Sequence, residues 1–157
     1  MKQRLTYIGI SVAICLTIGF LCGLATQNSV NDWYLHLNKP VFTPPNWVFA
    51  PVWILLYTMM GIAAGMVWAK GVYHIWVKTA LYHFSIQLLF NALWVIIFFG
   101  FKNSFGALLV ILTLLVLLIF TIKWFRVVDR TAAYLMIPYL LWVCFATALN
   151  YKIWELN

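Results

Sequence analysis

Long uninterrupted apolar runs, separated by short polar stretches, dominate the chain. Five of them are about 20 residues long, the length that an α-helix needs to cross the hydrocarbon core of a bilayer. Because apolar residues follow one another without strict alternation, a membrane β-barrel is disfavoured. The pattern predicts an all-α integral membrane protein, a five-transmembrane-helix bundle, with helices at about 5–26, 47–69, 79–100, 105–124 and 132–153.

The longest polar connection, residues 27–46, joins the first two predicted helices. It contains Pro40 and the pair Pro44-Pro45, which restrict the backbone and interrupt helices. Asn46 follows this pair and is predicted to be the N-cap of the second helix. We interpret the segment as a lid, hinged at its prolines, over one end of the bundle.

Composition agrees with a membrane location. The chain is 66% hydrophobic and only 8% charged, whereas a soluble domain has about 25% charged residues. Such a chain has too little charge to cover a surface in contact with water. Residues 1–157 are therefore predicted to form a single membrane domain that lipids surround.

Basic residues give the chain a formal net charge of +7. They are scattered between apolar runs, so nucleic-acid binding is not predicted. Seven would lie at the end that carries the N-terminus and three at the other end, which predicts a cytoplasmic N-terminus. The seven are Lys2, Arg4, Lys70, Lys78, Lys123, Arg126 and Arg130, and the three are Lys39, Lys102 and Lys152.

The three acidic residues, Asp32, Asp129 and Glu155, lie outside the predicted helices. Without an intramembrane carboxylate, a proton relay or a coupled-ion site is not expected. Five helices also cannot form two equal inverted repeats, which disfavours an alternating-access transporter. No catalytic residue, metal site or cofactor is predicted.

One face of the third predicted helix combines amides with aromatic rings. Gln87, Asn91 and Trp94 recur at helical spacing, flanked by His83 and Phe98. Amide groups need partners in a hydrocarbon environment, so this face must point into the bundle. The face either forms hydrogen bonds between helices or lines a ligand pocket, and the pattern leaves both interpretations open.

Comparable faces occur on two other helices. The second helix presents Trp53 and Tyr57, and the fifth presents aromatic, small and amide side chains at similar spacing. Those of the fifth helix are Tyr139, Trp142, Ala146 and Asn150. Flat aromatic surfaces with a few polar groups are typical of pockets for planar apolar ligands.

Glycines spaced four residues apart permit close approach of helices. Two such pairs occur, Gly19 with Gly23 and Gly61 with Gly65. For the second pair, a dimer contact and a contact with a neighbouring helix are equally compatible with the sequence.

Three ordered motifs together resemble the TspO/MBR family, the translocator proteins, over nearly the whole chain. The first is Trp33-Tyr34, Leu37, Lys39-Pro40, Pro44-Pro45-x-Trp47-Val48-Phe49, Pro51-Val52-Trp53 and Leu56-Tyr57. The second is Gln87-x3-Asn91-x2-Trp94 with Phe98-Phe99-Gly100. The third is Pro138-Tyr139-x2-Trp142, Phe145-Ala146-Thr147 and Leu149-Asn150.

This resemblance implies a five-helix bundle, commonly a homodimer, that binds porphyrins such as protoporphyrin or haem, and other flat hydrophobic ligands, beneath the first loop. The pocket residues that it implies are Tyr34, Trp53, Tyr57, Asn91, Trp142 and Ala146. The face patterns above add Gln87, Trp94, Tyr139 and Asn150 to the expected ligand-binding residues.

The expected function is therefore that of a porphyrin receptor, with sensing or transport as its consequence. The alternative is a light- and oxygen-dependent porphyrin-degrading enzyme, in which Trp53 and Trp142 would be the reactive pair. A bacterial cell membrane is the expected location. The sterol-binding motif of animal members is incomplete here, since no residue separates Tyr151 from Lys152.

Overall fold

Six α-helices make up the structure, a computed structural model that describes residues 1–157. Their bounds are α1 Lys2–Asn31, α2 Asn46–Trp68, α3 Ile75–Val95, α4 Ser104–Val128, α5 Arg130–Leu135 and α6 Ile137–Leu156. A π-helical turn, Ile96–Gly100, extends α3, and a short 3-10 helix, Trp33–His36, lies in the first connection.

Five spans are long and apolar enough to cross a membrane, because α5 and α6 together form the fifth. The predicted fold class is therefore confirmed. The connection between α1 and α2 and the ends of α3 and α6 lie at one end of the bundle, here called the lid end. The assignment of the opposite end to the cytoplasm stays a prediction.

Several helices extend beyond their predicted bounds. α1 continues to Asn31, α3 already begins at Ile75, and α4 continues to Val128. Apolar composition marks the part of a helix that lies in hydrocarbon, whereas helical hydrogen bonding continues into polar residues until a breaker occurs. The lid is consequently shorter than predicted and covers residues 32–45.

The predicted N-cap of α2 is wrong. Asn46 is the first residue of the helix and its side chain makes no capping hydrogen bond, while Pro45 occupies the cap position. The extended backbone of Pro45 (ψ 145°) ends the lid and sets the direction of α2. Side-chain caps occur instead at Asn103, before α4, and at Asp129, before α5.

α1 and α2 are in backbone contact at the end of the bundle away from the lid. A Cβ atom added to Gly61 would lie 2.4 Å from Cα of Val12, and one added to Gly65 would lie 2.4 Å from Cα of Ile8. The glycines therefore allow the two helices to touch. Of the two interpretations of this pair, the structure shows the contact with a neighbouring helix of the same chain.

Gly65→Ala is expected to destabilise the protein by about 1–3 kcal/mol, since the added methyl group would displace the backbone of α1. The measurement is thermal unfolding in detergent. Gly9→Ala is the matched control, because a Cβ on Gly9 would meet no atom within 4 Å. Identical melting temperatures for the two variants would contradict the close contact of α1 and α2.

Hydrogen bonds fasten the lid at its middle. Lys39 Nζ donates to the carbonyl oxygen of Tyr34 at 2.7 Å and lies 4.8 Å from the centre of the Tyr34 ring. The Asn157 side chain pairs with the backbone of Asn38: its Nδ2 donates to the Asn38 carbonyl at 2.9 Å, and its Oδ1 accepts from the Asn38 amide at 3.0 Å. The lid is thereby tied to the end of α6.

Candidate ligand-binding cavity

A cavity of about 690 Å³ lies beneath the lid, between α1, α2, α3 and α6. Most of its wall is apolar or aromatic, and no charged residue belongs to it. The few polar wall residues include Gln27, Asn31 and Asn46, at the lid ends of α1 and α2. The cavity thus has an apolar interior and a more polar rim.

Aromatic rings from three helices form the centre of the wall. The ring centre of Trp53 on α2 lies 5.7 Å from that of Tyr57, 6.1 Å from that of Trp94 on α3, and 6.4 Å from that of Trp142 on α6. Trp53 and Trp142 are perpendicular, with an interplanar angle of 90°. Such a corner offers a flat ligand one ring to stack against and the edge of another.

The lid contributes Tyr34, which is only 4% exposed. Its ring centre lies 6.4 Å from that of Phe49 on α2, and 6.4 Å and 5.6 Å from those of Phe98 and Phe99 on the π-helical turn. The lid therefore closes the cavity by aromatic packing as well as by hydrogen bonds.

Two polar atoms of wall residues are buried without a hydrogen-bond partner in the protein. They are Oη of Tyr34 and Nε1 of Trp142. Leaving a buried donor unpaired costs about 1–3 kcal/mol, so an acceptor group on a bound molecule would recover this energy. Burial raises the pKa of the Tyr34 phenol to about 12, further from the physiological range in which a phenol is already a protonated donor.

The predicted site residues fall into two groups. Seven line the cavity: Tyr34, Trp53, Tyr57, Trp94, Trp142, Ala146 and Asn150. Gln87, Asn91 and Tyr139 do not line it, and each is fully buried behind the wall. In this structure these three side chains therefore do not face a ligand in the cavity.

Those three residues instead form a hydrogen-bond network with Tyr57. Tyr57 Oη donates to Asn91 Oδ1 at 2.6 Å, and Asn91 Nδ2 donates to Tyr139 Oη at 2.6 Å. Tyr139 Oη donates in turn to Gln87 Oε1 at 3.1 Å. The network joins α2, α3 and α6. Of the two interpretations of the amide face on α3, a ligand-lining surface or hydrogen bonding between helices, the structure shows the second for Gln87 and Asn91.

A second pair of hydrogen bonds fixes the wall on its α3 side. Trp94 Nε1 donates to Asn150 Oδ1 at 3.0 Å, and Asn150 Nδ2 donates to the carbonyl oxygen of Ser104 at 2.8 Å. Both side chains line the cavity, but these polar atoms already have partners. Trp94 and Trp142 therefore differ: the N–H of Trp94 is already paired, and that of Trp142 is buried without a partner.

Some wall residues were not among those predicted. Phe49 and Phe145 line the cavity, and their spacing from Trp53 and Trp142 places each on the same helix face. Helical periodicity was therefore sufficient to find them. No polar or aromatic stripe marked α1, which nevertheless contributes residues between Leu16 and Asn31 to the wall.

Comparison with known proteins places the chain in one family. Residues 11–155 match the model of the TspO/MBR family. The chain is 41% identical to the tryptophan-rich protein TspO of Archaeoglobus fulgidus, over 94% of each chain. It is 37% identical to the tryptophan-rich sensory protein of Cereibacter sphaeroides, over 92% of each. With the human translocator protein it shares 38% identity, over 80% of this chain and 75% of the human one.

The matched span contains α2 to α5, α6 except its last residue, most of α1 and the entire lid. The family match thus covers every element that forms the cavity, and the five apolar spans agree with a multi-pass membrane protein. The predicted resemblance is confirmed: this chain is an integral membrane protein that belongs to the TspO/MBR family.

Proposed function

We propose that the protein is a membrane receptor for porphyrins and other flat hydrophobic ligands, which bind in the cavity under the lid. The observation that carries this proposal is the aromatic cavity of about 690 Å³ in which Tyr34 and Trp142 leave buried donors unpaired. Its volume falls within the range of about 300–1,000 Å³ that is usual for small-molecule sites.

The wall chemistry supports a planar ligand. Stacking on Trp53 or Trp142 would bury its flat faces, and acceptor atoms at its edge would pair with the two free donors. The wall contains no carboxylate, imidazole or ammonium group, so it offers binding surfaces rather than acid–base groups. Ala146 belongs to the same wall, between Trp142 and Asn150 on α6, and its small side chain leaves space there.

Sensing or delivery of the ligand would follow from binding. One relative is named a sensory protein and another a translocator protein, and we extend both possibilities to this chain. Only a few hydrogen bonds hold the lid, so a bound ligand can stabilise its closed position. A change in the lid upon binding would make the presence of the ligand detectable at the protein surface.

The test of the proposed function is a titration of the detergent-solubilised protein with protoporphyrin IX, followed by quenching of tryptophan fluorescence. We expect saturable quenching with one ligand per chain. Non-saturating quenching, equal to that of free tryptophan in the same micelles, would contradict the proposal.

The uncharged wall leads to a prediction about the ligand's acid groups. Protoporphyrin IX and its dimethyl ester should bind with affinities that agree within about threefold, and salt should have little effect, because no buried ion pair forms. In the acid, the carboxylates would point to the polar rim near Gln27 and Asn31. Much tighter, salt-sensitive binding of the acid alone would show instead that a cation such as Lys39 turns toward the ligand.

A further inference from the structure

α1 and α2 touch at one end and leave a gap at the other. Their backbones are in contact at Gly61 and Gly65. Toward the lid, a Cβ added to Gly19 would lie 2.6 Å from the Tyr57 ring, and one added to Gly23 would meet nothing within 4 Å. Gly23 is exposed and belongs to the cavity wall. The space beside Gly23 therefore connects the cavity with the outside of the bundle.

The neighbours of Gly23 show that this gap faces lipid. Phe20 and Leu24 on α1 and Ile54 on α2 all line the cavity, yet they are 66%, 54% and 60% exposed. Phe20 lies six residues before the end of the apolar stretch 5–26 of α1, which corresponds to a depth of about 9 Å inside the predicted hydrocarbon boundary. Apolar side chains at that depth face hydrocarbon rather than water.

Directly above the cavity, the lid covers the route toward water. Tyr34 covers the cavity, Lys39 holds the Tyr34 carbonyl, and the Asn157 side chain makes two hydrogen bonds with the Asn38 backbone. Passage beneath the lid would require these bonds to break, whereas the side chains beside Gly23 are exposed and apolar and make no hydrogen bonds.

We propose that the ligand enters and leaves the cavity sideways, directly from the bilayer, through the gap between α1 and α2 at Gly23. This inference rests on the proposed function and assigns a route to it. The gap is lined by Phe20, Leu24 and Ile54, so it selects molecules that dissolve in hydrocarbon, and polar groups of the ligand would pass nearest the rim at Gln27. A membrane-dissolved, flat, uncharged compound is the chemical class that fits.

The experiment measures the exchange rates of protoporphyrin IX dimethyl ester in liposomes containing the protein, by stopped-flow tryptophan quenching. Gly23→Phe fills the gap, and Gly9→Phe is the matched control on the same helix, since Gly9 is exposed and lies outside the cavity wall. We expect Gly23→Phe to slow both association and dissociation about tenfold or more, a barrier increase of about 1.4 kcal/mol. Gly9→Phe should leave both rates unchanged.

A widening variant provides an independent readout that does not depend on tolerance of the phenylalanine. Phe20→Ala with Leu24→Ala removes side chains from the gap and should accelerate both rates. Asn157→Ala removes the hydrogen bonds between α6 and the lid and should leave both rates unchanged, because the ligand does not pass beneath the lid.

Three outcomes separate the possibilities. Faster dissociation from Gly23→Phe would mean that the new side chain fills the binding space, and this would overturn the lateral route. Faster exchange in Asn157→Ala, with no effect of the gap variants, would assign the passage to the lid and overturn it as well. Absence of saturable binding to the unmodified protein would overturn the proposed function itself, and the route with it.

Discussion

Replacement of Trp142 by phenylalanine is expected to weaken protoporphyrin IX binding about tenfold, equivalent to about 1.4 kcal/mol. The variant keeps an aromatic ring against Phe49, Trp53 and Phe145, but it removes the Nε1 donor that has no partner in the protein. Trp142→Ala, which also removes the stacking surface, is expected to weaken binding about 100-fold. The measurement is the dissociation constant from fluorescence quenching in detergent.

Trp154→Phe is the matched control for this pair of variants. Trp154 lies on the same helix, packs against Phe105 and Tyr151, and does not line the cavity. Its affinity should equal that of the unmodified protein. If Trp142→Ala and Trp154→Phe are both folded and bind protoporphyrin IX with equal affinity, the cavity under the lid is not the binding site.

Asn91→Ala is expected to affect the fold more than ligand contact. The substitution leaves the Tyr57 hydroxyl without its acceptor and the Tyr139 hydroxyl without its donor, in a region where Asn91 and Tyr139 have no exposed surface. With a cost of about 1–3 kcal/mol for each of these two buried groups, the protein should lose about 2–6 kcal/mol of stability. The melting temperature in detergent should fall by about 5–20 °C.

Thr113→Val controls for the general effect of losing a polar group in a membrane helix. Thr113 is exposed on α4, and its hydroxyl donates to the carbonyl of Leu109 in its own helix at 3.0 Å. It should melt close to the unmodified protein. If Asn91→Ala melted normally but lost protoporphyrin affinity, Asn91 would contact the ligand directly, as the family resemblance implies, and its supporting role would be wrong.

Much of the fold was predictable because transmembrane helices are determined locally. Each apolar run satisfies its own backbone hydrogen bonds as a helix, whatever lies beside it. The periodicity of Trp53 with Tyr57, and of Trp142 with Ala146, likewise identifies inward faces from spacing alone. Seven of the predicted site residues therefore line one cavity. Helix ends were less predictable, since polar residues next to a membrane continue a helix as readily as they end one.

The role of α1 was beyond local reasoning. Its sequence is apolar on nearly all sides, and its one signal, the pair Gly19 and Gly23, suggested close helix packing, whereas the structure has open space beside Gly23. The helix becomes part of the cavity because backbone contact at Gly61 and Gly65 brings α1 against α2 at one end while the helices separate at Gly23. A contact of this kind depends on the distance between two helices, which neither helix encodes by itself.

Trp94 and Trp142 show most directly what the sequence and the tertiary structure each decide. Sequence alone placed Trp94 and Trp142 on inward faces of membrane helices, because both recur with polar or small residues at helical spacing. Only the packing of α3 against α6 brings Asn150 within 3.0 Å of the Trp94 N–H, while the same N–H of Trp142 remains buried without a partner. Spacing along a helix determines which way a side chain points, and the rotation and separation of neighbouring helices determine whether its hydrogen bond is already made or is left for a ligand.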